Sequence, residues 1–417
     1  MQAKQILLDL FLISAIFSCS GLAGCARKDH LAKGEMPFLQ WTADSDKMNF
    51  RLNQLENIET STLYNALPET GTFSHHSHLA WFKETLFATW DNQVNDENGS
   101  GQHGLMRRSA DRGRNWSAIE ELFPPLDKEL PASEAFIGTR YMTSNGFAII
   151  DEVLYAVTDV AEWTGTSIEE KKRVNIGRMC RSVGIDGTLG DIFWLENSPP
   201  DSAPGFPTYP VGDPVIIEKF NNYFRQPGNE IQLDFNTPRP VSDDNHRLTE
   251  PVPSYRLTDG TCVRLFRDMG SRDAVTQKEK EDSKSRRNYA SFSFDDGKSW
   301  TVPRRTSFPD ACARSNAGKL PDGQVYVINN IIPMNPGGLG GRSMLAISLT
   351  KDGLNFDRVA IIRFIPPPLR YPGLEKTIGY QYPHSVLADG DLWVIYSVNK
   401  EDIQVTRIPL DELYELN

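Results

Sequence analysis

The sequence predicts an all-β protein built from repeated sheets, and three observations carry that prediction. Short apolar or alternating runs recur along the chain. They include Leu79-Ala80-Trp81-Phe82, Leu86-Phe87-Ala88-Thr89-Trp90, Gly146-Phe147-Ala148-Ile149-Ile150, Leu154-Tyr155-Ala156-Val157, Val325-Tyr326-Val327-Ile328 and Leu392-Trp393-Val394-Ile395-Tyr396. Tight-turn signals such as Asp186-Gly187, Asp259-Gly260, Pro321-Asp322-Gly323 and Asp389-Gly390 separate them, and no long amphipathic helical stretch competes. Finally, Ser-x-Asp-x-Gly-x-x-Trp occurs twice, as Ser109-Ala110-Asp111-Arg112-Gly113-Arg114-Asn115-Trp116 and Ser293-Phe294-Asp295-Asp296-Gly297-Lys298-Ser299-Trp300.

Each position of that octapeptide has a physical use in a hairpin turn. The Asp carboxylate accepts backbone amides of its own turn. The Gly takes a positive φ, and the Trp buries a large ring that pins the turn to its sheet. The motif resembles the Asp-box of sialidase-like β-propellers, and that resemblance selects a propeller over a sandwich. A degenerate third copy is read at Leu349-Thr350-Lys351-Asp352-Gly353-Leu354-Asn355-Phe356, with Lys351 in place of the Asp. At about 40–50 residues per blade, seven blades are favoured and six are the alternative. The run Lys278-Glu279-Lys280-Glu281-Asp282 reads as a solvated loop on that scaffold.

A net charge of -11 argues against nucleic acid as a partner. Lys4 leads into the apolar run Ile6-Leu7-Leu8-Asp9-Leu10-Phe11-Leu12-Ile13, which is too short for a permanent membrane span. The segment ends in Leu22-Ala23-Gly24-Cys25, which resembles a bacterial lipobox. The organisation expected is a signal peptide over residues 1–24, a linker over 25–44 following a lipidated Cys25, and one propeller over 45–417. An exported lipoprotein follows, periplasmic or on the outer membrane or cell surface, with a membrane contact through its lipid. Cys180, Cys262 and Cys312 match no zinc spacing and read as small buried residues. No cofactor is required, a structural calcium or zinc ion is left open, and nothing signals more than a monomer.

Three of the seven histidines crowd into Phe73-Ser74-His75-His76-Ser77-His78, and His103 follows in Gly101-Gln102-His103. On a regular strand His76 and His78 share one side and His75 takes the other. Imidazoles suit proton transfer near neutral pH. The stretch from Phe73 through Lys83, Trp90, Asn92, Glu97 and Gly101-Gln102 to the first Asp-box resembles the opening blades of the ulvan lyases and of the enzymes that cleave rhamnose–glucuronate bonds. The segments Arg178-Met179-Cys180-Arg181, Asp186-Gly187-Thr188-Leu189-Gly190-Asp191-Ile192-Phe193-Trp194-Leu195 and Gly379-Tyr380-Gln381-Tyr382-Pro383-His384 are similar to the same group.

The resemblance implies histidines, a tyrosine and an arginine acting on an acidic polysaccharide, by β-elimination next to a uronic acid. That reaction needs a cation to neutralise the uronate carboxylate, a base for the C5 proton and an acid for the leaving oxygen. Arg178 and Arg140 are the candidate neutralisers, and His76 and His103 the candidate base and acid. Tyr141 or Tyr155 is the alternative acid. His75, Trp90, Asn92, Arg140, Arg267, Arg314, Asn316, Tyr382 and His384 complete the candidate substrate contacts. The alternative is a glycoside hydrolase, sialidase-like or acting on rhamnosyl-glucuronate. Sialidases hold a carboxylate with three arginines and use a Tyr–Glu pair plus an acidic Asp. Arg267, Arg314 and Arg370 are the arginines available here. The opening-blade Arg-Ile-Pro of sialidases is missing; the chain has that tripeptide only at Arg407-Ile408-Pro409. A third reading is a glycan-binding lipoprotein without catalysis, stacking Trp90 and Tyr382 on sugars.

Overall fold

The structure is a computed structural model that describes residues 36–43, 53–126, 139–164, 172–195, 207–232, 239–331 and 341–416. The signal segment and Cys25 lie outside these residues. The described chain is all-β apart from three short helices. Its strands form five sheets of four or five strands, the blades of a β-propeller, beside a two-stranded pair. Five blades replace the seven or six that the sequence predicts. Each blade takes up about 70 residues rather than the 40–50 of a compact repeat, because the connections are long. The longest, from Trp194 to His246, carries a helix of its own, Pro214–Phe224.

The first blade consists of Phe73–Phe82, Thr85–Gln93, His103–Ser109 and Glu120–Phe123, and the second of Arg140–Ile150, Val153–Thr164, Lys172–Val183 and Phe193–Trp194. In the third, His246–Thr249 and Tyr255–Arg256 share the inner position against Cys262–Ser271, followed by Arg287–Ser293 and Arg304–Pro309. The fourth runs Asn316–Lys319, Val325–Asn329, Met344–Thr350 and Arg358–Phe364, and Asn53–Gln54 adds to it in parallel. The fifth runs Tyr380–Ala388, Asp391–Val398 and Asp402–Pro409. Its outer strand is Glu59–Tyr64, from the other end of the chain, paired antiparallel with Asp402–Pro409. That exchange closes the ring, because both ends of the propeller chain share one blade.

The Asp-boxes link third strands to outer strands. Ser109 Oγ donates to Asp111 (2.8 Å) and accepts from the Gly113 amide (2.8 Å), while Asp111 also takes the Asn115 amide (2.9 Å). Ser293, Asp295, Gly297 and Ser299 repeat the pattern at 2.8–2.9 Å. These bonds hold both carboxyls down at about 2. The third box differs from its sequence reading. Asp352, not position 351, does the work, accepting from Thr350 Oγ1, Leu354 N and Asn355 N at 2.8 Å each. The box has lost one residue, so its Asp stays two positions after the hydroxyl and its Gly moves up.

Gly113 has φ +70°, and a Cβ there would collide with the ring of Trp393 in the fifth blade. Gly113→Ala is therefore expected to cost about 1–3 kcal/mol. An unchanged denaturant midpoint would show that the turn relaxes instead.

Apolar clusters join blades one to two, three to four, four to five and five to one. Between blades two and three the arrangement changes. The helix Pro214–Phe224 starts with Asp213 capping Val215 N and Pro214 in its first turn. It buries Ile217 and Phe220 against Ala148, Ile150, Val157 and Cys180 of the second blade. Cys180, Cys262 and Cys312 are buried. The charged run expected to be a loop is the short helix Gln277–Ser283, none of whose residues is buried. The reciprocal capping box of Thr276 and Glu279 starts it.

Candidate functional site

A propeller brings side chains to its axis only from strands near the centre, and here the backbone departs from regular strand geometry at that level. In the first blade the register slips between His75 and His78, and in the fifth between Gln381 and His384. One extra residue is inserted at each place, and φ is positive at His76 (47°) and Tyr382 (54°). Glu250 (50°) occupies the corresponding place in the third blade, between its two short inner strands. Non-glycine residues in this region are strained, and bulges re-aim side chains. The strain is used to point an imidazole, a carboxylate and a phenol into one cavity of ≈ 330 Å³ at the axis. The bulge also breaks the expected alternation of the histidine cluster. His76 lines this cavity, whereas His78 lines a second one of ≈ 360 Å³ with His384.

The centre of the site is a closed triangle. The Tyr382 hydroxyl donates to Glu250 Oε1 (2.7 Å), and Arg267 Nη1 donates to Glu250 Oε2 and to Tyr382 Oη (2.8 Å each). Burial raises the Glu250 carboxyl, but the Arg267 charge, the hydrogen bonds from Arg267 and Tyr382 and the Arg314 charge together outweigh it and leave the group at about 2. Burial pushes the Tyr382 phenol well up, against the pull of Arg267. A carboxylate ionised at neutral pH thus faces a protonated phenol. Two further guanidiniums flank the Tyr382 ring, Arg314 at 4.9 Å and Arg342 at 5.6 Å from its centroid. Arg342 is steadied by Gln381.

Opposite the phenol, at a ring separation of 5.5 Å, His76 lies between two carboxylates. Its Nδ1 meets Asp91 at 2.8 Å and its Nε2 faces Glu97 at 3.4 Å. Burial raises Asp91, with His76 opposing. Burial also works against ionised Glu97, but its ion pair with Lys400 and the nearby His76 leave it below its ordinary value. His75 packs on Tyr382 at 4.2 Å and meets Ser397 Oγ at 2.7 Å. Burial, then His76, keeps it neutral.

His76, Arg267 and Tyr382 thus line one cavity, with His75 and Arg314 packed against Tyr382. Other sequence candidates go elsewhere. His103 starts the third strand of the first blade and its Nδ1 bonds the Gly101 carbonyl (2.9 Å). Arg178, also on a third strand, is held bidentately by Asp159 at 2.6 and 3.1 Å. Arg140 pairs with Glu162 at 2.9 Å, and Tyr141 is buried with its ring against Trp163. Both lie on one regular stretch of strand, so they face opposite ways. Tyr155 packs on Phe193 and Phe220. Trp90 is wholly buried in the core between the fifth and first blades and offers no face to a sugar. Asn92 donates to Phe73 O and Ser74 Oγ (3.2 Å each). Asn316 accepts from Ser385 Oγ (2.5 Å), a blade-to-blade link. His384 is held at about 3 by burial and then Arg314, and its Nδ1 accepts from Leu79 N at 3.2 Å. Arg370 is engaged by Glu401 and Asp402. Among the described residues no group of three or more His, Cys, Asp or Glu is arranged to hold a metal.

Glu250, Arg342, Glu97 and Asp91 were not chosen from the sequence. One signal was available: Glu250-Pro251 and Tyr382-Pro383 repeat the same placement of a functional residue before proline.

The BNR repeat-like domain family matches residues 237–394, and the BT_1020-like, N-terminal beta propeller family matches residues 59–232. The chain is similar to both families, each over less than half of its length, and its fold is a β-propeller. A solved structure named Sialidase is 22% identical to this chain, with a TM-score of 0.67 over 89% of this chain and 35% of that chain. The Trypanosoma rangeli sialidase in complex with sialic acid is 11% identical, with a TM-score of 0.51 over 87% of this chain and 60% of that chain. The chain therefore spans about a third of the first of these proteins, and the likeness is one of fold. No curated protein matches the sequence.

Proposed function

We propose that this protein is a glycoside hydrolase that removes a terminal acidic sugar whose carboxylate sits on the anomeric carbon, a 2-keto sugar acid, with Tyr382 as nucleophile. The observation that carries this reading is the Tyr382–Glu250–Arg267 triangle, with bonds of 2.7 and 2.8 Å, flanked by Arg342. An anomeric carbon next to a carboxylate repels an anionic nucleophile. A neutral phenol that loses its proton only during attack avoids that repulsion, and Glu250 is placed to take the proton. Arg267 and Arg342 supply the positive field for the sugar carboxylate. As that carboxylate draws on Arg267, Glu250 loses part of the attraction that depresses it and becomes a better base. His76, positioned by Asp91, serves the leaving oxygen.

The test is turnover of aryl ketosides of 2-keto sugar acids, sialic acid among them, read by release of the aryl alcohol. No release from any of them removes this reading. His76→Ala is expected to slow substrates with a sugar leaving group by about 10²–10⁴-fold, and activated aryl ketosides by about tenfold or less, because a good leaving group needs no proton. Equal losses on both would take His76 out of the acid role.

A second reading retains β-elimination on a uronate. It is favoured by the imidazole of His76 facing the phenol of Tyr382 across the cavity. Its signature is an unsaturated product absorbing in the near-ultraviolet, which hydrolysis does not give. In either case the N-terminal segment supports export and lipid anchoring at Cys25. Loss of membrane association on Cys25→Ala checks this.

A further inference from the structure

Arg314 has no assigned part in the chemistry above. It precedes the inner strand Asn316–Lys319 of the fourth blade and is wholly buried. Among the described residues none of its three guanidinium nitrogens has a hydrogen-bond partner. Arg140, Arg178 and Arg267 each have a carboxylate, and Arg314 has none among the described ion pairs. Unlike the half-buried Arg342, it has no solvent-exposed surface, so it is sealed from a bound sugar. Its guanidinium lies 4.9 Å from the centroid of the Tyr382 ring. An unpaired buried cation is costly to a fold, and such costs collect where function requires them.

The charges around Tyr382 show what the cation is for. Glu250 and Arg267 neutralise one another. Arg342 awaits the sugar carboxylate. Arg314 is left over, beside the one group that gains negative charge as the reaction completes. We propose that Arg314 is a positioning charge that acts through Tyr382, making the tyrosine a better leaving group when the covalent glycosyl-tyrosine breaks down. The inference rests on the hydrolase reading.

In the first step, Tyr382 Oη bonds to the anomeric carbon, its proton passes to Glu250, and the leaving oxygen departs with a proton from His76. In the second, a water oxygen bonds to the anomeric carbon and a water proton returns to His76. The bond to Tyr382 breaks, its electron pair goes to Oη, and the proton on Glu250 comes back. Across the first step the Tyr382–Glu250 pair loses its negative charge, and across the second it regains it. A fixed cation beneath the ring therefore speeds breakdown of the adduct much more than its formation.

Arg314→Met removes the charge at similar volume, and Arg314→Gln is a second uncharged variant. With the aryl ketoside that the wild type hydrolyses, kcat is expected to fall about a hundredfold while kcat/KM changes less than about threefold, so KM falls too. Acid-quenched Arg314→Met is expected to carry the sugar on Tyr382 in peptide mass mapping, and Arg314→Lys to restore kcat to within about tenfold. The uncharged variants are also expected to melt no lower than the wild type, since they relieve an unpaired buried charge.

Parallel losses in kcat and kcat/KM, no accumulation of adduct, or a melting temperature lowered by several degrees would each overturn the proposal. If the wild type turns over through a Tyr382 adduct and Arg314→Met leaves its partitioning unchanged, this inference alone fails. If the wild type forms no such adduct even with a slow fluorinated ketoside, the hydrolase reading fails and the inference with it.

Discussion

Tyr382→Phe is expected to reduce kcat/KM toward aryl ketosides by at least about a thousandfold while leaving affinity for the free sugar acid within a few-fold. The phenol hydroxyl is the only atom removed. It is both the proposed nucleophile and the third corner of the hydrogen-bond triangle, at 2.7 Å from Glu250 and 2.8 Å from Arg267. Arg267 and Arg342, the proposed holders of the sugar carboxylate, are left in place by the substitution. Stability should fall by about 1–3 kcal/mol, because a buried carboxylate and guanidinium each lose a partner. Calorimetric titration of the sugar acid together with initial rates checks the pair of effects. Wild-type-like turnover in Tyr382→Phe would dismiss the phenol as nucleophile, and loss of binding in step with loss of rate would make it a binding group.

Glu250→Gln should act on both activity and stability. The amide still accepts a hydrogen bond from Tyr382 but takes no proton, so turnover is expected to drop by about 10²–10⁴-fold. Arg267 becomes a buried cation without its anion, which costs about 3–5 kcal/mol. The pH dependence fixes the cause. Glu250 titrates in the folded protein at about 2, below its ordinary 4.5. A depressed carboxyl stabilises the fold fully above its unfolded value and loses that contribution as pH falls through its folded value. The difference in melting temperature between wild type and Glu250→Gln should therefore be largest above about pH 5 and shrink steadily towards pH 2. A difference that stays constant over that range would mean that the carboxylate charge is not what holds Arg267.

What the sequence disclosed follows from how local each feature is. The Asp-box closes its own hydrogen bonds within eight residues, so Ser109 to Trp116 and Ser293 to Trp300 are readable without the rest of the molecule. Blade number depends on how much chain lies between sheets, and the connection holding Pro214–Phe224 has no repeat to count. His76, Arg267, Arg314 and Tyr382 were legible as residue types in suggestive surroundings. His103 and Arg178 looked equally good, but both sit on third strands, which lie away from the axis. Glu250 was missed because its role comes from a strained backbone position that only the folded ring creates. The third box misled by one position because a deletion keeps its chemistry while shifting its spacing.

Among the described residues the second and third blades share no apolar cluster, and the helix Pro214–Phe224 between them packs on the second, which has a mechanical consequence. A ring under thermal or denaturant stress parts at its weakest seam, and four of the five seams here are sewn with aliphatic and aromatic side chains. Hydrogen exchange should accordingly report amides of the helix and of Cys262–Ser271 opening at lower free energy than those of Asp391–Val398. Glu250 and Arg267 belong to the blade on one side of that seam, and Tyr382 sits across the axis from it. Opening at this joint is therefore expected to loosen the triangle as well.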